Sequence, residues 1–404
     1  MPNPPRVIAR HALVAAIVLA LPVIAPALQG ADAALQSGPS LDLRYRHESV
    51  DDAGFARDAD ADTLLLRLGY RWVFAPGWQL YGEGVHVQAL FGEHYNSTAN
   101  GKTQYPTVAD PQSSAINQAY IGYSGGALTA TLGRQRLQLD NQRFIGNSGW
   151  RQNEQTFDAL NVRYAFSDGG PSLRYVYLDR VQRVNGHDNP DPLQRAWDLD
   201  GHLFNVNQAL PLGALSGYGY LIENHAIATL STQTWGLRWT GTRAGGVVML
   251  GWTVEYARQS DWNNNPTRQR ADYRFVESSL AWNGITLRAG REVLGGNGRY
   301  GFATPYATLH AFDGWADRFT TTPFDGLDDR YVSAGARLGK ASWVVTAHDF
   351  HADRGGRHYG REFDASLAYP LSAHATGLVK VADYRSDGYA LDTRKLWFSL
   401  EYAF

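Results

Sequence analysis

The sequence contains no cysteine among its 404 residues, which excludes a disulfide framework, a thiolate nucleophile and a thiolate metal site. It also lacks an excess of either charge: the formal net charge is −2, which favours neither a nucleic-acid-binding protein nor a polyanion. Beyond the N-terminal region, no run is apolar enough for a membrane-spanning helix. The mean hydropathy is −0.35 although 44% of the residues are hydrophobic. These values argue against a helical membrane protein and allow a barrel that is apolar on one face only.

The N-terminus has the features of a targeting signal. A basic start with Arg6 and Arg10 precedes the apolar run "ALVAAIVLALPVIAPAL", and the small-residue site Ala31–Ala33 follows it. A charged start, a short apolar core and an A-x-A site are typical of a secretory signal peptide. A membrane anchor helix would need about 20 apolar residues and fits less well. We therefore predict a signal peptide over residues 1–33 and a mature domain over residues 34–404.

After the signal, apolar residues recur with a period of two, which predicts β-strands. In "LLLRLGYRWVF", Arg67, Gly69 and Arg71 lie on the face opposite to the apolar residues. That apolar face consists of Leu64, Leu66, Leu68, Tyr70, Trp72 and Phe74. Apolar faces that become aromatic at their ends are typical of membrane barrels, whose aromatic girdles lie at the interfaces. Counting such segments gives about 18 strands.

The connections between these strands alternate between short and long. Short, turn-like connections such as Asn283-Gly284 alternate with long polar ones such as residues 138–155 and 293–327. Short periplasmic turns at one end and long extracellular loops at the other are the asymmetry of a bacterial outer-membrane barrel. The predicted fold class is therefore all-β, a transmembrane antiparallel up-and-down β-barrel located in the outer membrane.

The C-terminal segment "KLWFSLEYAF" supports a closed barrel. Its alternate residues from Leu396 to Phe404 are apolar or aromatic, and a barrel hides its edge strands in lipid only if the first strand pairs with the last. A last strand that ends in phenylalanine also resembles the segment by which outer-membrane proteins are recognised for insertion. We therefore expect barrel-insertion machinery, bound through the strand ending in Phe404, and outer-membrane lipid and lipopolysaccharide as partners.

The faces opposite to the apolar ones repeatedly carry arginine. By the phase of the alternation, the arginines that line the lumen are Arg44, Arg46, Arg67, Arg71, Arg163, Arg238, Arg288 and Arg337. A barrel of 16 to 18 strands encloses an aqueous channel, and charged rings inside a pore select what crosses it. Because the guanidinium binds carboxylates with two parallel hydrogen bonds, these arginines favour anionic solutes. Alternatively, arginines and acids pair across the lumen and only brace the wall.

One stretch combines high charge density with irregular patterning, and it resembles a known signature. The run "GRQRLQLDNQRFIGNSGWRQNEQTFDA", which begins at Gly133, resembles the signature of the bacterial alginate export family. The segments "WQLYGEGV", "NQAYIGY", "ALTATLGRQRL" and "YVYLDRV" resemble that family in the same order. The resemblance implies an 18-stranded monomeric barrel with an electropositive conduit for alginate or a similar anionic polysaccharide. The matching residues are Arg134, Arg136, Asp140, Arg143, Trp150, Arg151, Glu154 and Asp158.

We expect this charged loop to fold inward or to pack across the pore mouth. Arg134 and Arg136 are candidate solute contacts, and Arg143 and Arg151 are candidates to meet a polyanion at the mouth or the constriction. The acids of the motif are expected to hold the loop in shape by pairing with neighbouring arginines. These acids are Asp140, Glu154 and Asp158.

Other functions remain open alternatives. The same barrel would serve as a porin for uptake of small anionic or carbohydrate nutrients, or as a structural barrel with a closed lumen. An enzyme is not expected, because "GYSGG" at Gly122–Gly126 reads as a hairpin turn without the helix that a nucleophile elbow needs. No metal or other cofactor is predicted, since His348 and His351 have no evident third ligand nearby.

Overall fold

The computed structural model describes residues 36–167 and 169–404, which form one closed barrel of 18 antiparallel strands. The predicted signal peptide lies outside the described residues. The strands are β1 Gly38–Asp52, β2 Ala59–Ala75, β3 Trp78–His94, β4 Ser113–Gly125, β5 Leu128–Gln135, β6 Thr156–Ala165, β7 Ser172–Gln182, β8 Ala196–Leu210, β9 Gly213–Asn224, β10 Thr232–Gly245, β11 Val248–Asp261, β12 Arg270–Trp282, β13 Ile285–Leu294, β14 Leu327–Leu338, β15 Ala341–His351, β16 His358–Pro370, β17 Ala375–Ser386 and β18 Thr393–Ala403.

Helical structure within the described ranges is limited to single turns. They are α1 Pro192–Arg195 and the 3₁₀ turns Ala228–Leu230 and Leu309–Ala311. No helix in this part of the chain has the length and apolar character needed to span a membrane.

Every strand pairs with its neighbours in chain order, and the first strand pairs with the last. The register between β1 and β18 runs from Asp42 opposite Ala403 to Asp52 opposite Thr393. This pairing satisfies the backbone groups of both edge strands, as a barrel in lipid requires. The predicted all-β fold, the strand number and the closure through the C-terminal strand are confirmed.

The two ends of the barrel differ as the sequence predicts. We call the end with short connections the turn side and the opposite end the loop side. At the β2–β3 turn, Gly77 has a φ of +78°, and a Cβ there would lie 2.5 Å from the carbonyl oxygen of Ser124, so that the turn needs glycine. On the loop side not every connection is long. The β1–β2 loop covers only residues 53–58 because alternating, paired residues continue to Asp52.

The outward face carries the apolar band that contacts lipid. Exposed side chains alternate with buried ones along β2, where Leu68, Tyr70, Trp72 and Phe74 are all exposed. The outward residues of β18 repeat this pattern up to Tyr402. The predicted phase of these strands therefore holds, and the arginines between the apolar residues point into the barrel.

Candidate functional site

The charged loop between β5 and β6, residues 136–155, enters the barrel and crosses its interior. The ring of Phe144 lies 5.6 Å from that of Tyr218 on β9, 5.3 Å from Tyr273 on β12 and 5.7 Å from Phe302. Tyr218 and Tyr273 lie on the inward face of the opposite wall, and Phe302 lies on the loop after β13, so the charged loop packs against elements far from its own strands. The buried aromatic cluster anchors the tip of the loop inside the lumen.

A second loop, residues 295–326 between β13 and β14, fills the lumen beside the first. Its backbone meets the first loop where Gly146 donates to the carbonyl of Tyr306 at 2.9 Å and Thr308 donates to that of Gln142 at 3.0 Å. The sequence marks this loop only as long and polar. Its length and its three aromatic residues between Phe312 and Phe319 are the signals that could have indicated an inserted loop.

Arg143 is the most completely buried arginine of the loop, with 1% of its surface exposed. Its Nε lies 2.5 Å from Oε1 of Glu292 on β13, and its Nη2 lies 2.7 Å from Oδ2 of Asp313 on the second loop. Burial alone would lower the pKa of Arg143, but the two carboxylates outweigh it and raise that pKa. Burial raises the pKa of Asp313, and the attraction of Arg143 opposes that shift.

Arg151 joins the first loop to the wall and to the second loop. Its guanidinium lies 3.3 Å from Glu48 on β1 and 3.0 Å from Asp317, whose carboxylate also accepts from Lys395 at 2.7 Å. Asp317 further contacts His310 at 2.7 Å. Burial would raise the pKa of Asp317, but the surrounding cations outweigh it and hold that pKa well below its usual range. Arg151 therefore sits in a closed network of charges rather than at an open anion site.

Glu154 closes the base of the loop. Its carboxylate lies 2.5 Å from Nη2 of Arg136 and 3.8 Å from Nε of Arg67 on β2, and it accepts from Asn117 at 2.5 Å. Arg136 also contacts Glu83 on β3 at 2.8 Å. Although burial works in the opposite direction, the two arginines lower the pKa of Glu154 to about 2. This acid pairs with neighbouring arginines, as the sequence predicts.

Trp150 provides an aromatic platform for the inward cations of β1 and β17. The Cζ of Arg46 lies 4.2 Å from the centre of its ring and the Nζ of Lys380 lies 4.3 Å from it. Arg44 donates to the carbonyls of Gly149 at 3.1 Å and Trp150 at 3.2 Å. Arg44 and Arg46 thus face the lumen as predicted, and there they bind the inserted loop.

Two of the predicted roles are wrong. Arg134 lies on the same face of β5 as the exposed Leu132, so it points out of the barrel and pairs with the outward Asp158 at 2.7 Å. The alternation of β5 continues up to Arg134. This residue therefore does not line the pore. Asp140 is hydrogen-bonded to Asn205 at 3.0 Å and to Tyr220 at 3.3 Å, and not to an arginine as predicted.

The remaining predicted arginines face the lumen nearer the turn side. Arg238 pairs with Glu255 on β11, and Arg288 lies on the inward face of β13. Arg71, Arg163 and Arg337 lie on inward faces close to short turns, and in the described ranges no carboxylate oxygen lies within 4.0 Å of their guanidinium groups. The charges of the turn side are therefore less neutralised than those around the inserted loops.

An inward arginine that the sequence reasoning missed belongs to this group. Arg174 on β7 lies directly opposite Arg163 on β6 in the sheet register, and it too has no carboxylate oxygen within 4.0 Å among the described residues. Asp140 attracts it from a greater distance. The alternation of Leu173, Arg174 and Tyr175 was the available signal. Two like charges directly opposite each other destabilise a sheet, so this pair is a candidate anion-binding position.

A cluster of potential metal ligands lies on the loop side, on the outer face of the barrel. His351 on β15 and His358 on β16 both contact the carboxylate of Asp349. His348 points into the barrel instead and pairs with Asp329 at 2.9 Å. His348 and His351 therefore do not share a site. The groups beside His351 are Asp349, two positions earlier on the same strand, and His358, which the β15–β16 hairpin brings close.

Comparisons with known proteins agree with this architecture. The sequence signature of the alginate export family matches residues 38–284. No curated protein matches the chain in sequence.

Solved barrels from Pseudomonas aeruginosa superpose on nearly the whole chain. OpdK, solved with vanillate, has a TM-score of 0.72 at 13% identity over 92% of this chain and 100% of its own. OpdL has a TM-score of 0.70 at 16% identity, over 91% and 99%. OccK2 (OpdF), solved in complex with glucuronate, has a TM-score of 0.68 at 13% identity, over 91% and 98%. Because the family match spans more than half of the chain and the barrel has the fold of these outer-membrane proteins, the chain belongs to the alginate export family and is an outer-membrane channel.

Proposed function

We propose that this channel passes uronate-containing anions, with an alginate-like polysaccharide moving passively outward as its principal solute. The observation that carries the proposal is the pair Arg163 and Arg174, which lie side by side on the lumen wall without a carboxylate oxygen within 4.0 Å in the described ranges. A carboxylate placed between two guanidinium groups would relieve their repulsion and accept hydrogen bonds from both.

The distribution of charge along the lumen supports directional stepping of a polyanion. Arg71, Arg163, Arg174 and Arg337 form a positive zone near the turn side. Further in, arginines such as Arg143 are already held by acids and offer weaker attraction. The positive zone at the turn side attracts the polyanion, and the weaker binding beyond that zone permits its release, as conduction requires. Arg143 and Arg151 therefore serve as braces of the inserted loops and not as primary solute contacts.

A second candidate is uptake of small anionic nutrients. Two inserted loops occupy the loop-side lumen, which favours small solutes over a polymer. Two barrels of the same fold were solved with small carboxylates, OpdK with vanillate and OccK2 with glucuronate. The same turn-side arginines would serve either solute, so the length of the transported uronate distinguishes the two candidates.

Planar bilayers containing the purified barrel test the proposal. Under a KCl gradient we expect a reversal potential of the sign of an anion-selective channel, and we expect oligouronates on the periplasmic side to block the current in a length-dependent manner. Replacing both Arg163 and Arg174 with glutamine should reduce the selectivity and the block. Replacing the outward Arg180 with glutamine is the matched control. A cation-selective channel that is insensitive to oligouronates would overturn the proposal.

A further inference from the structure

We propose that Asp349, His351 and His358 form a binding site for a divalent first-row transition metal, of which Zn²⁺ is the representative, on the extracellular rim of the barrel. The site lies outside the lumen and requires no assumption about the transported solute. It joins two neighbouring strands at the point where the β15–β16 hairpin emerges on the loop side.

The donor atoms already converge. One ligand atom from each of the three residues lies within 4.8 Å of the others. Nε2 of His351 lies 3.0 Å from Oδ2 of Asp349, and Nε2 of His358 lies 2.8 Å from Oδ1 of the same carboxylate. An ion about 2.0–2.1 Å from each nitrogen spaces tetrahedral donors by roughly 3.3 Å. Small rotations of the side chains would therefore admit the ion.

The ligand type indicates which ions fit. Two imidazoles and one carboxylate suit zinc, copper, nickel or iron, whereas magnesium and calcium prefer sites made only of oxygen. Three protein ligands also leave at least one coordination position for water or an external oxygen ligand.

An independent feature points to metal binding, namely the support behind His358. Its Nδ1 lies 2.7 Å from Oδ2 of Asp387, and the backbone N–H of Asp387 donates to the carbonyl of Tyr359 at 2.9 Å. A proton held on Nδ1 by Asp387 leaves the Nε2 lone pair directed at the cluster. Metal-binding histidines almost always carry such a carboxylate or carbonyl partner on the other ring nitrogen, because it fixes the tautomer and the ring orientation.

One neighbouring charge opposes the ion. Nε of Arg361 lies 3.1 Å from Oδ1 of Asp349, and its exposed side chain is free to turn away towards solvent. This guanidinium both competes for the carboxylate and repels a cation. Removing its charge should therefore strengthen metal binding, whereas it would weaken a cluster that consisted of ion pairs alone.

Titration of the untagged, detergent-purified barrel with Zn²⁺ by calorimetry, and with Co²⁺ by visible absorption, tests the proposal at neutral pH. We expect a saturable site that His351→Ala and His358→Ala each abolish. Asp387→Asn should weaken the affinity about 10–100-fold, and Arg361→Gln should tighten it. His202→Ala, at another outward histidine beside an acid, is the matched control and should bind like the wild type.

The variants change the outer rim, so circular dichroism and heat-modifiability on gels establish that each one folds before it is titrated. Absence of saturable binding to the wild type would overturn the proposal and leave the cluster as ion pairs alone. Retention of wild-type affinity in the double variant His351→Ala/His358→Ala would also overturn it, since the ions would then bind elsewhere.

Discussion

Arg143 shows what most of the arginines in the charged loop do. Its guanidinium is enclosed with Glu292 and Asp313 in the barrel interior, where the local dielectric constant is low. A buried ion pair of this kind contributes little net stability compared with an apolar contact, but loss of one partner leaves an uncompensated charge. Arg143 therefore fixes the position of the two loops relative to each other and is not available to bind a solute.

Replacing Arg143 with alanine should destabilise the protein by about 3–5 kcal/mol, because Glu292 and Asp313 would remain buried beside each other without their cation. Urea-induced unfolding from lipid vesicles measures this loss. The control is Arg180→Ala, which removes an exposed pair with Asp198 and should cost about 0–1 kcal/mol. Equal losses for the two variants would contradict the bracing role.

At the residue scale, the sequence predicted whether an arginine points inward or outward better than it predicted the ion-pair partners of that arginine. The alternation of β1 and β2 correctly placed Arg44, Arg46 and Arg67 inside. It could not identify the partners of Arg143, which lie 149 and 170 positions away along the chain. Arg134 was misassigned because its role was taken from the family motif and not from the phase of β5, which continues to Gln135 and places Arg134 on the face of the exposed Leu132.

The two inserted loops are the elements that distinguish this barrel from an open pore. The first is anchored at its base by Glu154 and at its tip by Phe144, and the second is held by Asp317. Two of these anchors, Glu154 and Asp317, are acids that hold the loops only while they stay ionised. The position of both loops should therefore depend on pH.

Glu154 sets the pH window for this dependence. Its pKa is lowered from 4.5 to about 2 in the folded protein, so its stabilising contribution is complete above about pH 4.5 and is lost as the pH falls towards 2. The pKa of Asp317 is shifted in the same direction. Acidification through this window should loosen the first loop and raise the frequency of gating events in single-channel recordings.

The variant Glu154→Gln provides the matched comparison for this pH effect. It lacks the carboxylate at every pH, so we expect frequent gating already at neutral pH and a smaller response to acid than in the wild type. A wild-type response that Glu154→Gln reproduces in full would show that other groups control the loop.

At the element scale, strands were more predictable than loops. The alternation of apolar and polar residues within a strand indicates which face is inward, and the C-terminal segment also indicated that the barrel is closed. The segment "YGEGVHVQAL" departs from regular pairing at a register shift between Glu83 and Gly84 opposite β4. The length and the aromatic residues of the second loop are weaker signals, because the position of that loop is fixed by contacts with the first loop and with distant strands.

The whole molecule divides its lumen into two zones of different charge. On the loop side, acids from the wall and from both loops neutralise the inward arginines, and the inserted chain narrows the passage. Towards the turn side, Arg163 and Arg174 lie side by side on the wall without a carboxylate oxygen within 4.0 Å among the described residues. Because charged rings select the ions that enter a pore, this zone should set the selectivity of the complete channel.

The most direct test of this account is the flux of length-defined oligouronates into proteoliposomes, measured beside neutral oligosaccharides of equal length. We expect the uronates to enter faster, and we expect Arg163→Gln/Arg174→Gln to remove most of that preference while the neutral flux stays unchanged. A preference for uronates that persists for long oligomers supports transport of a polysaccharide. A preference that is limited to monomers supports uptake of small nutrients. Equal entry of charged and neutral sugars into wild-type vesicles would contradict the account.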